Sequence, residues 1–307
     1  MGRIAALVLA AVVATACSSG QTAADTSARP TPTIHYTPEP TATPSPVAAI
    51  SAAPSATATA APDYNALPVA ASDPTALAAQ IKQVEDALRD PKVQGAQLAY
   101  MGHLQQLAYS RLADYPEWQP AVLAALPQNY AHALSDALDA GKNLRSMNGS
   151  VPTRLPDWKI VAPKPIDDLL AFYKEAEATY GIEWQYLAAI NLVETRMGRI
   201  RGLSEAGAQG PMQFMPATWG QYGRGDINDD HDAILGAARY LKAAGAPANM
   251  AKALFAYNHA QAYVNALIDY ADAMKADPNE FRGYWGWQVY YPTKDGPILL
   301  PTGWTNE

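Results

Sequence analysis

The sequence predicts a mainly helical protein with a short β tail, and three observations carry that prediction. After residue 73, apolar residues recur at spacings of three and four through most of the chain. Hydrophobic residues make up 49% of the 307 residues, enough for a core, and the alanine-rich composition favours helix. Near the C-terminus the pattern changes. Segments 285–291 and 297–301, separated by Lys294-Asp295-Gly296, read as two short strands and a turn. The formal charge of −7 and pI near 5.2 argue against a nucleic-acid partner.

Residues 1–16 read as an export signal. Arg3 supplies the positive start, residues 4–13 form a short apolar run, and Ala14-Thr15-Ala16 gives a small-x-small cleavage pattern. The run is too short to span a bilayer, and no later stretch approaches 18 consecutive apolar residues. Cys17, the only cysteine, follows at once. This arrangement resembles a bacterial lipoprotein signal, which implies lipidation at Cys17 and a membrane anchor. Plain secretion with an incidental cysteine is the alternative, and both place the mature protein outside the cytoplasmic membrane. Residues 17–72 are then a Thr, Pro, Ala and Ser tract with few large apolar residues, expected to be a disordered linker.

Asp73-Pro74 opens a helical accessory region over 73–147. Asp is a good N-cap, Pro suits the first turn, and Leu77, Ile81, Val84 and Leu88 share one face. Further helices are expected at 93–112 and 120–144, the latter beginning in two pieces because of Pro120 and Pro127. His103 and His132 have no partners at metal-ligand spacing and read as packed or surface residues. Asn148-Gly149-Ser150 and four prolines make 148–164 a linker.

A second helical region spans 165–275, with 276–307 as the tail carrying the hairpin. One helix runs over 165–180 and is ended by Gly181. The next includes Leu187, Ile190 and Glu194, at spacings of three and four, which places a carboxyl on an apolar face. Lost hydration there disfavours the charged form and raises the pKa, as a general acid near neutral pH requires. A salt bridge to Arg196 or Arg199 is the plainer alternative for Glu194.

Glu194-Thr195, Ser204, Gly207-Ala208, Gly210-Pro211-Met212-Gln213-Phe214-Met215-Pro216 and Ala256-Tyr257-Asn258 follow in order. This ordered set resembles the lytic transglycosylase family, with its goose-type lysozyme-like fold, over roughly a third of the chain. The resemblance implies cleavage of peptidoglycan glycan strands between N-acetylmuramic acid and N-acetylglucosamine, leaving a 1,6-anhydro sugar. It also implies that no metal or organic cofactor is needed. Glu194 would be the catalytic acid. Gln213 and Met215 would line the groove, with Gly210 admitting close approach. Tyr257 would hydrogen-bond near the scissile sugar, Asn258 would support that corner, and Ser204 would help orient the glutamate. Thr195, Pro211 and His259-Ala260 depart from the usual Ser, Leu and Ala-Gly.

Two rival readings remain open at this point. A hydrolytic muramidase of the same fold would need a second carboxylate to position water, for which Asp226, Asp229, Asp230 and Asp232 are available. Their loop superficially suggests calcium, but it has His231 where such loops carry Gly and reads instead as a cap for the following helix. A non-catalytic wall-binding lipoprotein is the third reading.

Overall fold

Asp73 caps the first helix as its sequence suggests. Its carboxylate accepts the Ala76 N–H at 2.9 Å, and Pro74 takes the first helical position of α1 (Pro74–Arg89). The computed structural model describes residues 62–306. The expected signal at 1–16, Cys17 and most of the 17–72 tract lie outside them. Order begins earlier than composition suggests, however. The Gln80 side chain accepts the Ala71 N–H and donates to the Val69 carbonyl, and Tyr64 meets Tyr100 edge to face. Side-chain contacts to α1 and the next helix thus fix a segment whose own composition gives no reason for order.

The chain continues through α2 (Gly95–Asp114), a short 3-10 turn (Pro116–Trp118), α3 (Gln119–Ala125) and α4 (Gln128–Ser146). Pro127 separates α3 from α4, the expected two-piece start. Then follow β1 (Lys159–Ile160), α5 (Ile166–Tyr180), α6 (Trp184–Thr195), β2 (Ile200–Arg201), α7 (Pro216–Tyr222) and α8 (Asp230–Ala244). The last elements are α9 (Met250–Tyr257), α10 (Gln261–Ala276), α11 (Glu280–Gly286), β3 (Val289–Tyr291) and β4 (Ile298–Leu300). Gly181, at φ 73°, ends α5 in the left-handed conformation that glycine adopts without strain.

Helix α6 is the centre of the packing. Ten of its twelve residues are buried, so it is apolar nearly all round rather than on one face. The expected single face through Leu187 and Ile190 is therefore only part of a fully covered surface. Helix α10 lies between α6 and α4, α5 packs on α8, and α1 on α2. One continuous core runs from Leu77 to Trp287. The regions 73–147 and 165–275 are thus separated in sequence by 148–164 but not in packing.

That intervening stretch also takes part in the fold. β1 pairs antiparallel with β2, Lys159 opposite Arg201. Ile160 exchanges main-chain hydrogen bonds with Trp304 and Gly303. β3 and β4 form the expected hairpin, Val289 opposite Leu300. Its first strand is shorter than expected, because Trp285 and Gly286 belong to the last turn of α11. The reason is tertiary. Gly283 and Gly286 bring α11 against Gly102 of α2 at backbone distance, a contact invisible to strand propensity.

Beside this crossing, Arg89 bridges Glu85 and Glu280, while the Gln105 amide and Tyr109 hydroxyl donate to Glu85. Burial, reinforced by the Glu85 charge, holds the Glu280 carboxyl well above the usual carboxylate range. A methyl group at Gly102 would run into the Gly283 carbonyl and the Gly286 Cα, neither of which can turn aside as a side chain would. Gly102→Ala is accordingly expected to destabilise the protein by about 1–3 kcal/mol. Thermal unfolding followed by circular dichroism checks this; an unchanged midpoint would contradict the backbone-to-backbone crossing.

Candidate active site

Helix α6 ends in three consecutive left-handed residues. Arg196, Met197 and Gly198 have φ of 54°, 59° and 78°. For the two with side chains, that conformation costs on the order of 1–2 kcal/mol each. Such strain persists where the surroundings over-determine the backbone, and here they do. The Thr195 hydroxyl donates to the Pro211 carbonyl at 2.6 Å and accepts the Gly198 N–H at 3.1 Å. The Asn191 amide donates to the same carbonyl at 2.9 Å, and its oxygen accepts the Tyr173 hydroxyl at 2.6 Å. One carbonyl thereby ties the helix end to the following loop and, through Asn191, to α5.

The loop is a tight turn in which Gln209 and Phe214 exchange both main-chain hydrogen bonds at 2.8 Å. Gly210 (φ 72°) and Gln213 (φ 50°) make the reversal. A Cβ at Gly210 would collide with the Ile227 carbonyl. The glycine therefore lets the turn seat against the 227–228 backbone, rather than admitting a ligand as the sequence suggests. Met212 and Phe214 point into the core, and Phe214 packs against Trp219 and Tyr257 at 5.3 and 5.9 Å between ring centres. Met215 stands out at 42% exposure.

Glu194 is half-buried among otherwise covered residues of α6. Its Oε1 accepts the hydroxyl of Tyr263, a fully buried residue of α10, at 2.6 Å. Burial pushes the Glu194 carboxyl up to about 7, against the Tyr263 hydrogen bond, which favours the charged form. No arginine partner contributes. Arg196 Nη1 donates to the Leu192 carbonyl and Arg199 Nη2 to that of Trp285. The acid of this site is thus set by burial and one phenol.

The other residues singled out in the sequence gather around this point unevenly. Tyr257 lies within reach of the Glu194 charge, which adds to the effect of burial in raising its pKa. Its hydroxyl, however, donates to the Met212 carbonyl at 2.6 Å and braces the loop against α9. The Gln213 amide nitrogen donates to Gly210 within its own turn, leaving the amide oxygen without a partner among the described residues. Asn258 ends α9 through its backbone N–H, and its side chain has no hydrogen-bond partner among the described residues. Ser204 makes no hydrogen bond to Glu194. Its hydroxyl accepts the Ala208 N–H at 2.9 Å and closes a local turn.

Tyr263 escapes the sequence reading because a tyrosine on the inner face of an alanine-rich helix looks like any core residue. The rival aspartates are engaged elsewhere. Asp229 caps α8, Asp226 and Asp232 hold the turn before it, and Asp230 pairs with Arg201 at 2.6 Å. None of them contributes to the shift of Glu194.

Fold and site together define a helical domain built round one proton-retaining carboxyl beside an exposed loop wall. Residues 171–279 match the family model described as Transglycosylase SLT domain. Over 127 residues, 39% of the chain, the sequence is 33% identical to the membrane-bound lytic murein transglycosylase F of Thiobacillus denitrificans. The chain spans only 27% of that relative's length. No solved structure gives a significant match. Among the described residues no helix is long and apolar enough to cross a membrane.

A stability test follows from the buried carboxyl. Its folded pKa of about 7 exceeds the ordinary 4.5, so the native state holds this proton more tightly than the unfolded chain. The stability this contributes is complete below pH 4.5 and is lost as pH rises through 7. Glu194→Gln, which never ionises, escapes that loss. The variant is expected to gain on the wild type between pH 4.5 and 7, by at most about 3–4 kcal/mol. Denaturant midpoints at a series of pH values measure it, and a constant difference across that range would refute the shifted carboxyl.

Proposed function

We propose that the chain is an exported peptidoglycan lytic transglycosylase that cleaves the β-1,4 bond between N-acetylmuramic acid and N-acetylglucosamine, with Glu194 as its single acid and base. The observation that supports this most is the half-buried Glu194 carboxyl, raised to about 7 with one hydroxyl partner and no second carboxylate contributing to its shift. A group titrating near neutrality is protonated often enough to give a proton and basic enough to take one back.

In the first step Glu194 protonates the glycosidic oxygen, the C1–O4 bond breaks, and the N-acetylglucosamine portion leaves with that proton on O4. The N-acetyl group of the muramic residue assists at C1 from the opposite side. In the second step the Glu194 carboxylate takes the proton of the muramic C6 hydroxyl as its oxygen bonds to C1 and the N-acetyl oxygen leaves C1, restoring the acetamide. The product is a 1,6-anhydro sugar and the glutamic acid is regenerated. Water is not consumed, so no second carboxylate is required, in contrast to ordinary glycosidases. Met215, Gln213 and Asn258 are the side chains we assign to holding the glycan, the first by packing and the others by hydrogen bonding. Tyr257 and Tyr263 are positioning residues, for the loop and for the carboxyl respectively.

Digestion of purified sacculi followed by mass spectrometry tests the reading. Products ending in 1,6-anhydro sugars are expected; reducing ends alone would assign a hydrolytic muramidase. Glu194→Gln is expected to lose at least about a thousandfold in rate while still binding sacculi. A wild type inactive on every sacculus preparation would favour a wall-binding role without catalysis.

The same reading places the protein at the outer face of the cytoplasmic membrane, tethered through a lipid on Cys17. Cys17→Ser in a bacterial host is expected to move the protein from the membrane fraction to the soluble exported fraction. Retention in the membrane fraction would sink the anchor.

A further inference from the structure

Residues 149–158 line a cleft of about 830 Å³ together with the loop 202–205 and Tyr291 of β3. That volume lies within the range of sites that take small ligands. The 149–158 stretch is held in place by its neighbours. The Trp158 indole N–H donates to the Leu203 carbonyl at 3.3 Å, and the Tyr291 hydroxyl to the Arg154 carbonyl at 3.0 Å. The Asn306 amide donates to the Leu155 carbonyl at 3.4 Å. A Cβ at Gly202, where φ is 139°, would meet the Asp157 carbonyl at 2.9 Å, so glycine lets the loop seat against the stretch.

Three charged side chains line the cleft, Arg154, Asp157 and Glu205. Asp157 accepts the Asn306 amide at 3.2 Å. Arg154 and Glu205 are exposed, and neither side chain has a hydrogen-bond or ion-pair partner among the described residues, each other included. Both charges act on one phenol. Burial raises the pKa of Tyr291, the Glu205 charge adds to that rise, and the Arg154 charge opposes it. Main-chain groups are available along the same stretch, since Val151 and Thr153 make no main-chain hydrogen bond with any described residue. Leu203, 59% exposed, and the partly exposed Trp158 supply apolar surface.

A separate cation and carboxylate, unpaired main-chain donors and acceptors, and an apolar wall together match one class of ligand. A short peptide brings an ammonium group, a carboxylate, main-chain groups that pair with an extended segment, and apolar side chains. A neutral sugar would use the indole and leave both charges without a counterpart.

We propose that this cleft binds a short peptide with a free amine and a free carboxylate, the carboxylate meeting Arg154, the amine meeting Glu205 and the peptide backbone pairing with 151–153. Residues 149–158 and Tyr291 lie outside the matched 171–279 segment, so the family match does not supply this site. The loop 202–205 runs on in sequence into the turn that carries Gln213 and Met215. Identifying the ligand with the peptide part of peptidoglycan rests on the function proposed above; the binding itself does not.

The test is calorimetric titration of the full-length protein with an N-acetylated tetrapeptide of alanine with lysine at its third position. Its one amine is the lysine side chain and its one carboxylate the C-terminus. Saturable binding is expected, weakened at least about threefold by amidating the C-terminus or acetylating the lysine. Arg154→Gln is expected to weaken binding of the free tetrapeptide to the same extent and to leave binding of the amide unchanged. Glu205→Gln should act likewise on the free tetrapeptide and leave binding of the lysine-acetylated form unchanged. Both side chains are exposed, so neither substitution is expected to unfold the protein. No saturable binding of the tetrapeptide, or undiminished binding in either variant, overturns the proposal. Equal weakening of the derivative that already lacks the partner group overturns it as well. Glycan cleavage is not the readout, so the outcome is independent of the role assigned to Glu194, which digestion of sacculi tests separately.

Discussion

Asn191 and Thr195 both donate to the carbonyl of Pro211, and the geometry around Glu194 depends on that shared acceptor. Each hydrogen bond contributes about 1 kcal/mol net, whereas leaving the buried groups unpaired would cost about 1–3 kcal/mol apiece. That is the same scale as the strain of Arg196 and Met197 in the left-handed region. The joint therefore suffices to hold the helix end open at the residue after the glutamate's neighbour. Continued as a helix, the chain would carry residues 196–198 away from Asp230, Arg201 and the loop they now adjoin. The unusual backbone and the buried hydroxyl are two sides of one arrangement.

The second balance is electrostatic. A fully exposed carboxyl at position 194 would titrate near 4.5 and be almost wholly charged at pH 7; one sealed without any donor would stay protonated and return no base. Half-burial with a single donor, the Tyr263 hydroxyl, lies between these limits. The donor comes from α10 and not from the loop, so the proton affinity of Glu194 is set by packing in the core. Tyr257 performs the complementary task, bracing the loop from α9 through the Met212 carbonyl.

Much of this is legible in the residues. Asp73 and Pro74 announce α1, Gly181 ends α5, and Pro127 divides α3 from α4, because caps and breakers act through a few neighbouring dihedrals. The carboxyl at 194 stands out as the one charge within an otherwise apolar helix, although the residues alone fit an ion pair with Arg196 or Arg199 as well. What could not be read is what depends on distant partners. The turn of α11 is stabilised by Gly102, some 180 residues earlier, and the order of 62–72 by Gln80 and Tyr100. Ser204 and Gln213 have the side chains of ligand contacts, yet both make hydrogen bonds within their own turns. Sequence spacing fixes which residues a loop carries, but not which of their donors the loop itself consumes.

The accessory helices are where this matters most for function. Read as sequence, 73–147 is a platform separate from the catalytic region. In the fold, α4 runs along α10, and α10 carries Tyr263 on the side that meets the end of α6. A core substitution in α4 therefore reaches the acid through two packed contacts, from α4 to α10 and from Tyr263 to Glu194. Close-packed interiors transmit such displacements because they have little free volume to absorb them. Residues outside the matched 171–279 segment thus belong to the same packed core as the helix that carries the carboxyl.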